Sequence, residues 1–163
     1  MRNVFMTSRG VLVLLGLLIT ASAQAQAPKV DRAAEKAAVE QTFRDYAATF
    51  WTGDLKKVTT FYNDPMMLMP AARVVTSAEV ETWVERIREN GRSRGIADAV
   101  LERLEVKMVG DGVALVSFIY KRLTKEGAFV ETGAGTYYLR KTDSGWKIAV
   151  IHAFPPADYV KLD

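Results

Sequence analysis

The 163-residue chain contains no cysteine and only one histidine, His152. Without cysteine there are no disulfides, no thiol nucleophile and no thiolate metal ligand, so packing alone must stabilise the fold. A metal site would have to combine His152 with carboxylates, and no acidic residue lies at ligand spacing around it. We therefore expect no metal and no cofactor.

Two common catalytic signatures are also missing, the glycine-rich phosphate loop and the Gly-x-Ser-x-Gly elbow. Gly133-Ala134-Gly135 is followed by neither the helix nor the third glycine of a dinucleotide-binding fingerprint. This short glycine pair predicts a bend or bulge in a curved strand instead. Nucleotide binding is therefore not expected.

Long apolar runs are absent apart from Val11 to Ile19. That run is shorter than the roughly 20 residues of a membrane-spanning helix. Arg2 and Arg9 precede it and small residues follow, a pattern typical of a Sec-type signal peptide. We predict a signal peptide and cleavage region at residues 1–27, with cleavage near Ala23 to Ala27. The mature protein is then periplasmic or secreted and has no further contact with the membrane.

The net charge of the chain is small. The formal net charge of +3 falls to +1 when the leader is removed, because Arg2 and Arg9 are lost and no acidic residue is. A nearly neutral chain lacks the basic surface that phosphate backbones require, so nucleic acid is not an expected partner. About 140 residues remain, enough for one hydrophobic core, so residues 28–163 are predicted to form a single domain.

Helical patterns occupy the first half of the mature chain. Asp31 is a suitable N-cap, and the first helix extends to Gly53-Asp54, where a second, short helix begins. Apolar residues at three- and four-residue steps predict the buried face of the first helix: Val39, Phe43, Tyr46, Ala47 and Phe50. The capping box Thr76-Ser77-Ala78-Glu79 begins a third helix, which Asn90-Gly91 is expected to end.

The third helix is rich in charge near its end. Its arginines are interleaved with glutamates, and a solvated face of mixed charge is predicted for Arg86, Arg88, Arg92 and Arg94.

Strand patterns fill the rest of the chain. After a turn at Asn63-Asp64-Pro65, Met66 to Met69 is predicted to pair with Arg73 to Val75 and to supply flexible core side chains. Four longer strands follow, at Leu104 to Met108, Val113 to Arg122, Val130 to Lys141 and Trp146 to Phe154. Helices first and an antiparallel meander afterwards predict the α+β class.

The chain resembles the nuclear transport factor 2-like superfamily in two regions. These are the succession of elements from Phe43 to Pro70 and the closing run Gly145-Trp146-Lys147-Ile148 with His152. This superfamily includes the SnoaL-like cyclases and the steroid delta-isomerases. The resemblance covers residues 31–154. It implies a cone-shaped α+β barrel, in which a curved antiparallel sheet is wrapped around N-terminal helices and encloses a pocket. It also implies pairing of two copies through the outer face of the sheet.

The steroid delta-isomerases have a tyrosine on the first helix that donates to a developing oxyanion, and Tyr46 precedes Gly53-Asp54 by the matching interval. Their general base is an aspartate, but Pro70 stands at that position and cannot accept a proton. Their second donor falls at or near Tyr137. The resemblance thus implies two phenols that could bind a carbonyl or phenolate, without delta-isomerase activity.

Histidine is the side-chain type that most often serves as a general acid or base, which makes His152 a catalytic candidate. Strand alternation predicts that it shares a face with Trp146, Ile148 and Val150, and it would project into the pocket if that face is concave. The alternative is a hydrogen-bonded core histidine, or one at a subunit interface.

Three functional hypotheses follow. The first is a SnoaL-like binding module for a small, mostly apolar molecule. Its candidate ligand-binding residues are Tyr46, Phe50, Trp83, Tyr137, Trp146 and His152.

The second hypothesis is a lyase, cyclase or hydrolase with His152 as general base and Tyr46 polarising the substrate; these are the candidate catalytic residues. The third is a homodimeric assembly domain. The strand from Val113 to Tyr120 is apolar on both faces and needs cover on both, which a second copy would provide.

Overall fold

The computed structural model describes residues 31–162, and the predicted signal peptide lies outside them. Within that range, no helix has the length and apolar character needed to cross a membrane. The elements in chain order are α1 (Arg32–Phe50), α2 (Leu55–Thr59), β1 (Tyr62–Met69), β2 (Arg73–Val75), α3 (Ser77–Ser93), β3 (Asp98–Met108), β4 (Val113–Leu123), β5 (Phe129–Thr142), β6 (Gly145–Phe154) and a 3₁₀ turn (Pro156–Asp158).

The six strands form one curved sheet in the order β2-β1-β6-β5-β4-β3. Strands β3 to β6 make the predicted antiparallel meander, and the α+β class is confirmed. However, β1 runs parallel to β6, so the sheet is mixed and not antiparallel throughout. The sheet also remains open, with β2 and β3 at its two edges. Sequence patterns located these strands but could not show that β1 pairs with the most distant one.

Helix α1 lies against the concave face of the sheet, as predicted. Its N-terminus is fixed by Asp31, whose carboxylate accepts hydrogen bonds from the amides of Ala33 at 3.0 Å and Ala34 at 3.2 Å. Its buried stripe contains Val39, Phe43, Tyr46 and Phe50. Burying each of these large side chains contributes roughly 1.5–3 kcal/mol, which holds the helix on the sheet.

Helix α3 begins at the predicted capping box, where the Thr76 amide donates to the Glu79 carboxylate at 3.0 Å. The helix does not end at Asn90-Gly91 but continues to Ser93. Gly91 is buried beneath Trp51, and a Cβ atom there would lie 2.4 Å from the indole ring. The glycine thus allows a close contact between α3 and the end of α1, and it is not a stop signal.

The prediction of a solvated arginine face is wrong for Arg88, which is only 6% exposed. Its Nε donates to the carbonyl of Phe50 at 2.6 Å, and its Nη2 donates to those of Gly53 at 3.0 Å and Thr49 at 3.3 Å. Carbonyls at a helix C-terminus lack partners within the helix. Arg88 therefore caps α1 from α3 and joins the two helices.

Strand β1 also departs from the prediction. It runs through Asn63-Asp64-Pro65, where a turn was expected, and its pairing with β6 is irregular between Tyr62 and Met67. Met66 is buried, whereas Met67 and Met69 are exposed on the outer face. The methionine run therefore supplies the core only at alternate positions, as a strand with one solvent-facing side must.

The chain's own C-terminal segment covers part of the outer face of β3 and β4. The hydroxyl of Ser117 donates to the carbonyl of Val160, and the amide of Leu162 donates to the Glu105 carboxylate at 2.7 Å. The Arg103 guanidinium lies 5.3 Å from the centre of the Tyr159 ring. The apolar outer side of β4 is thus covered in part without a second copy.

Candidate functional site

A bulge in β6 decides which side chains face the concave side of the sheet. Leu139 pairs with Ile148 and Tyr138 pairs with Val150, so Ala149 is one extra residue in β6. An extra residue reverses the alternation beyond it. The prediction that His152 shares a face with Trp146 and Ile148 is therefore wrong.

Beyond the bulge, Ile151 and Ala153 line the concave side. His152 lies between them and projects from the outer face, where its neighbour in β5 is Thr136. The ring of Phe154 lies 5.2 Å from the His152 ring, centre to centre.

A cavity of about 160 Å³ lies between the concave face, α1 and α3. Its walls are mainly aromatic and apolar, with one charged side chain: Phe43, Tyr46, Ala47, Phe50, Trp51, Trp83, Ile87, Ala99, Leu101, Phe118, Tyr120, Arg122, Tyr137, Ile151 and Ala153. Apolar cavities of about 150 Å³ hold a molecule of the size of benzene. The void therefore has room for about one ring.

Three aromatic rings form the inner wall of the cavity. The centroid of Phe118 lies 4.6 Å from that of Phe43 and 4.8 Å from that of Tyr137, within the range of favourable ring contacts. The opposite side is not sealed, since Trp51 and Arg122 are half-buried and Ala153 is exposed. The cavity is thus rigid at its base and accessible from solvent.

Two glycines of β5 make room for this aromatic wall. A Cβ on Gly133 would lie 2.3 Å from the Tyr120 hydroxyl, and one on Gly135 would lie 2.9 Å from the Phe118 ring. A bend or a bulge was predicted there; the pairing of β4 with β5 is regular through both positions, so there is no bulge. Because the two glycines have no side chains, the rings of Tyr120 and Phe118 on β4 can lie over β5.

Phenol groups meet at the α1 side of the cavity. The Tyr62 hydroxyl donates to the Tyr46 hydroxyl at 3.1 Å, and the rings of Tyr46 and Tyr137 lie 6.3 Å apart. Burial raises the pKa of each of these three phenols well above its ordinary value. Neighbouring phenols raise the pKa of Tyr46 and Tyr137 further. All three remain protonated near neutral pH. Tyr62 donates its proton to Tyr46, whereas Tyr46 and Tyr137 line the cavity and can donate a hydrogen bond to a bound oxygen.

The structure brings together four of the six predicted site residues. Tyr46, Phe50, Trp83 and Tyr137 line the cavity, whereas Trp146 and His152 do not.

Trp146 lies at the other end of the concave face, where its indole N–H donates to the carboxylate of Glu35 at 3.1 Å. His152 projects from the outer face of the sheet, whereas Tyr46 lies on α1 against the concave face. The two side chains therefore do not face a common substrate.

Several cavity residues were not among the predicted site residues. Phe43 belongs to the same helical stripe as Tyr46, and its periodicity was the available signal. Phe118, Tyr120 and Arg122 share one face of β4 by simple alternation, but nothing in the sequence identified that face as concave. Within residues 31–162, no three histidine, aspartate or glutamate side chains are grouped to hold a metal ion.

Comparison with known proteins identifies relatives of most of the described region. A family model described as "NTF2-like protein (DUF6841)" matches residues 34–156. No curated protein matches the chain in sequence.

Solved structures with the same fold include an NTF2-like protein with a cystatin-like fold from Novosphingobium aromaticivorans. It has a TM-score of 0.61 and 12% identity over 78% of this chain and 86% of that one. A protein from Streptomyces avermitilis, provisionally assigned as a dehydratase of the NTF2-like family, has a TM-score of 0.58 and 19% identity over 76% and 96% of the two chains. At these identities the likeness shows the fold alone.

Proposed function

Because this chain belongs to the NTF2-like family DUF6841, we propose that it binds a small, mostly apolar molecule in the cavity between α1, α3 and the concave face of the sheet. The observation that carries the proposal is the aromatic lining itself, which holds an accessible void of about 160 Å³. Protein interiors are normally close-packed, and an unfilled apolar void costs stability. A ligand that fills it recovers those contacts.

The walls suit such a ligand in two ways. The rings of Phe43, Phe118 and Tyr137 offer edges and faces to an apolar body. The protonated hydroxyls of Tyr46 and Tyr137 offer donors to a single oxygen on it. A mostly apolar pocket with a few converging polar groups is the usual form of a small-molecule site.

Ala47 allows a direct test, since it lines the cavity from α1 and has space in front of its methyl group. We expect Ala47→Phe to fill the void and to weaken the binding of phenol, a ring-sized probe, at least about tenfold. Titration followed by the fluorescence of Trp51 and Trp83, which both line the cavity, measures the affinity.

Ala48→Phe is the matched control, because Ala48 is the next residue of the same helix and is exposed. This variant should bind phenol as the parent protein does. Equal affinities for the two variants, or no binding of any ring-sized compound to the parent, would rule out the cavity as the site.

We also propose that two copies pair through the outer face of the sheet. On this outer face, five apolar side chains form a row across five neighbouring strands. Each is the pairing partner of the next, in the order Val74, Met67, Val150, Tyr138 and Leu115. Val74 is 51% exposed, Met67 36% and Tyr138 44%, although the C-terminal segment covers the adjoining part of this face. A contiguous apolar row on a sheet face is suited to a symmetric contact.

Light scattering at micromolar concentration should give the mass of a dimer for the parent protein and of a monomer for Tyr138→Glu. The glutamate would place an unpaired charge in the contact, which costs several kcal/mol. Val109→Glu serves as the control, because Val109 is exposed in the turn between β3 and β4. A monomeric parent, or a Tyr138→Glu variant that still dimerises, would refute this interface.

A further inference from the structure

Arg122 is the one charged side chain in the wall of the cavity. It lies near the end of β4, opposite Ala99 of β3 and Glu131 of β5. Its guanidinium is 5.1 Å from the centre of the Tyr120 ring and 5.7 Å from that of Trp51. Because its side chain is only 20% exposed, the charge is largely removed from water. The wall of the cavity thus carries a largely buried cation that packs against two aromatic rings.

The known partners of Arg122 use only part of its hydrogen-bonding capacity. Nη1 donates to the Glu131 carboxylate, and Nη2 donates to the Tyr120 hydroxyl at 2.8 Å. Its Nε is buried and has no hydrogen-bond partner among residues 31–162. A buried N–H of a charged group without an acceptor costs about 1–3 kcal/mol or more. The guanidinium thus has N–H donors that Glu131 and Tyr120 leave unused, and a ligand in the cavity could bring an acceptor to it.

The charge at this end of the cavity is also not fully balanced. Glu131 is shared between Arg122 and Arg94, whose Nη1 lies 2.9 Å from the carboxylate. Burial opposes the ionisation of Glu131, but hydrogen bonds and charges from the two arginines hold the pKa of its carboxyl below the usual range. The group therefore contains two guanidinium cations and one carboxylate, which leaves one positive charge beside an apolar void.

We propose that the natural ligand is a ring-sized apolar molecule with one carboxylate, and that a carboxylate oxygen accepts a hydrogen bond from the guanidinium of Arg122. This inference rests on the proposed function and defines the chemical class of its ligand. The carboxylate supplies both the missing acceptor and the missing negative charge, while the ring fills the aromatic void. Charge-assisted hydrogen bonds of this kind are about twice as strong as neutral ones.

Benzoate and benzamide test the proposal, since they share one ring and nearly one shape and differ in charge. The parent protein should bind benzoate about tenfold to a hundredfold more tightly than benzamide, as expected for a charged hydrogen bond. Fluorescence titration of the cavity tryptophans provides both affinities. Equal affinities, or tighter binding of benzamide, would overturn the proposal.

Two arginine variants show which side chain causes the preference for benzoate. Arg122→Gln should remove the preference for benzoate, whereas Arg94→Gln should only reduce it, because that change removes the excess positive charge but leaves the guanidinium that lines the cavity. A preference that persists in Arg122→Gln would refute the role of Arg122. The comparison of the two ligands in the parent protein decides the ligand class even if a variant does not fold.

The outcome also separates this proposal from the one on which it rests. Binding of phenol and benzamide without a preference for benzoate would retain the binding cavity and reject the carboxylate. If no ring-sized compound binds, charged or neutral, the proposed function itself is wrong.

Discussion

Arg88→Met is expected to lower the free energy of unfolding by roughly 3–5 kcal/mol, because the carbonyls of Phe50 and Gly53 lose a charged hydrogen-bond donor. The carbonyl of Thr49 still accepts from the amide of Gly53. Three carbonyls at the end of α1 receive hydrogen bonds from this guanidinium. Methionine retains an apolar side chain like the stem of arginine, but it has no hydrogen-bond donor. Chemical denaturation of the variant and the parent measures the difference.

Arg86→Met provides the control for this experiment. Arg86 lies on the same helix two residues earlier and is exposed, so its replacement should change stability by less than about 0.5 kcal/mol. Arg88→Lys should fall between the two, since one ammonium cannot reach three carbonyls with the geometry of a guanidinium. If Arg88→Met proves as stable as Arg86→Met, the cap does not hold the helices together.

Gly135→Ala is expected to cost about 1–3 kcal/mol through overpacking. The added Cβ would lie 2.9 Å from the ring of Phe118 and 3.0 Å from the carbonyl oxygen of His152. The ring has little freedom to move, because it is only 3% exposed and packs against Phe43 and Tyr137. The β-propensity of alanine cannot offset a clash with a fixed ring.

A double mutant identifies the clash as the cause. Phe118→Leu removes the ring atoms nearest to Gly135, so the pair Gly135→Ala and Phe118→Leu should cost less than the sum of the two single changes, by about 0.5–3 kcal/mol. Denaturation curves of the four proteins measure this coupling. Strict additivity would mean that the ring of Phe118 does not cause the cost, which would then come from the His152 carbonyl or from the backbone of β5.

The sequence predicted the local elements well, because their signals are local. Asp31, the Thr76 to Glu79 box and Gly53-Asp54 mark helix boundaries by hydrogen bonds within a few residues. The strand runs from Val113 onwards were located for the same reason. The family resemblance then supplied the sheet's curvature, and Tyr46 and Tyr137 were found on the cavity wall.

Contacts between distant residues could not be predicted in this way. The parallel pairing of β1 with β6 and the cap that Arg88 places on α1 each join segments that are far apart in the chain. Arg88 also carries the same charge as its solvated neighbours, so composition cannot distinguish it. Arg122 is a similar case, since its role depends on Glu131 and Tyr120 lying beside a void.

The extra residue at Ala149 matters for how relatives of this protein are compared. For a relative whose last strand lacks the extra residue, a sequence alignment that passes through β6 without a gap equates inward positions of one protein with outward positions of the other from Val150 onwards. Histidines that occupy the same column can then stand on opposite sides of the sheet. Residue correspondence in this last strand should be established by superposing backbones, before any catalytic role is transferred.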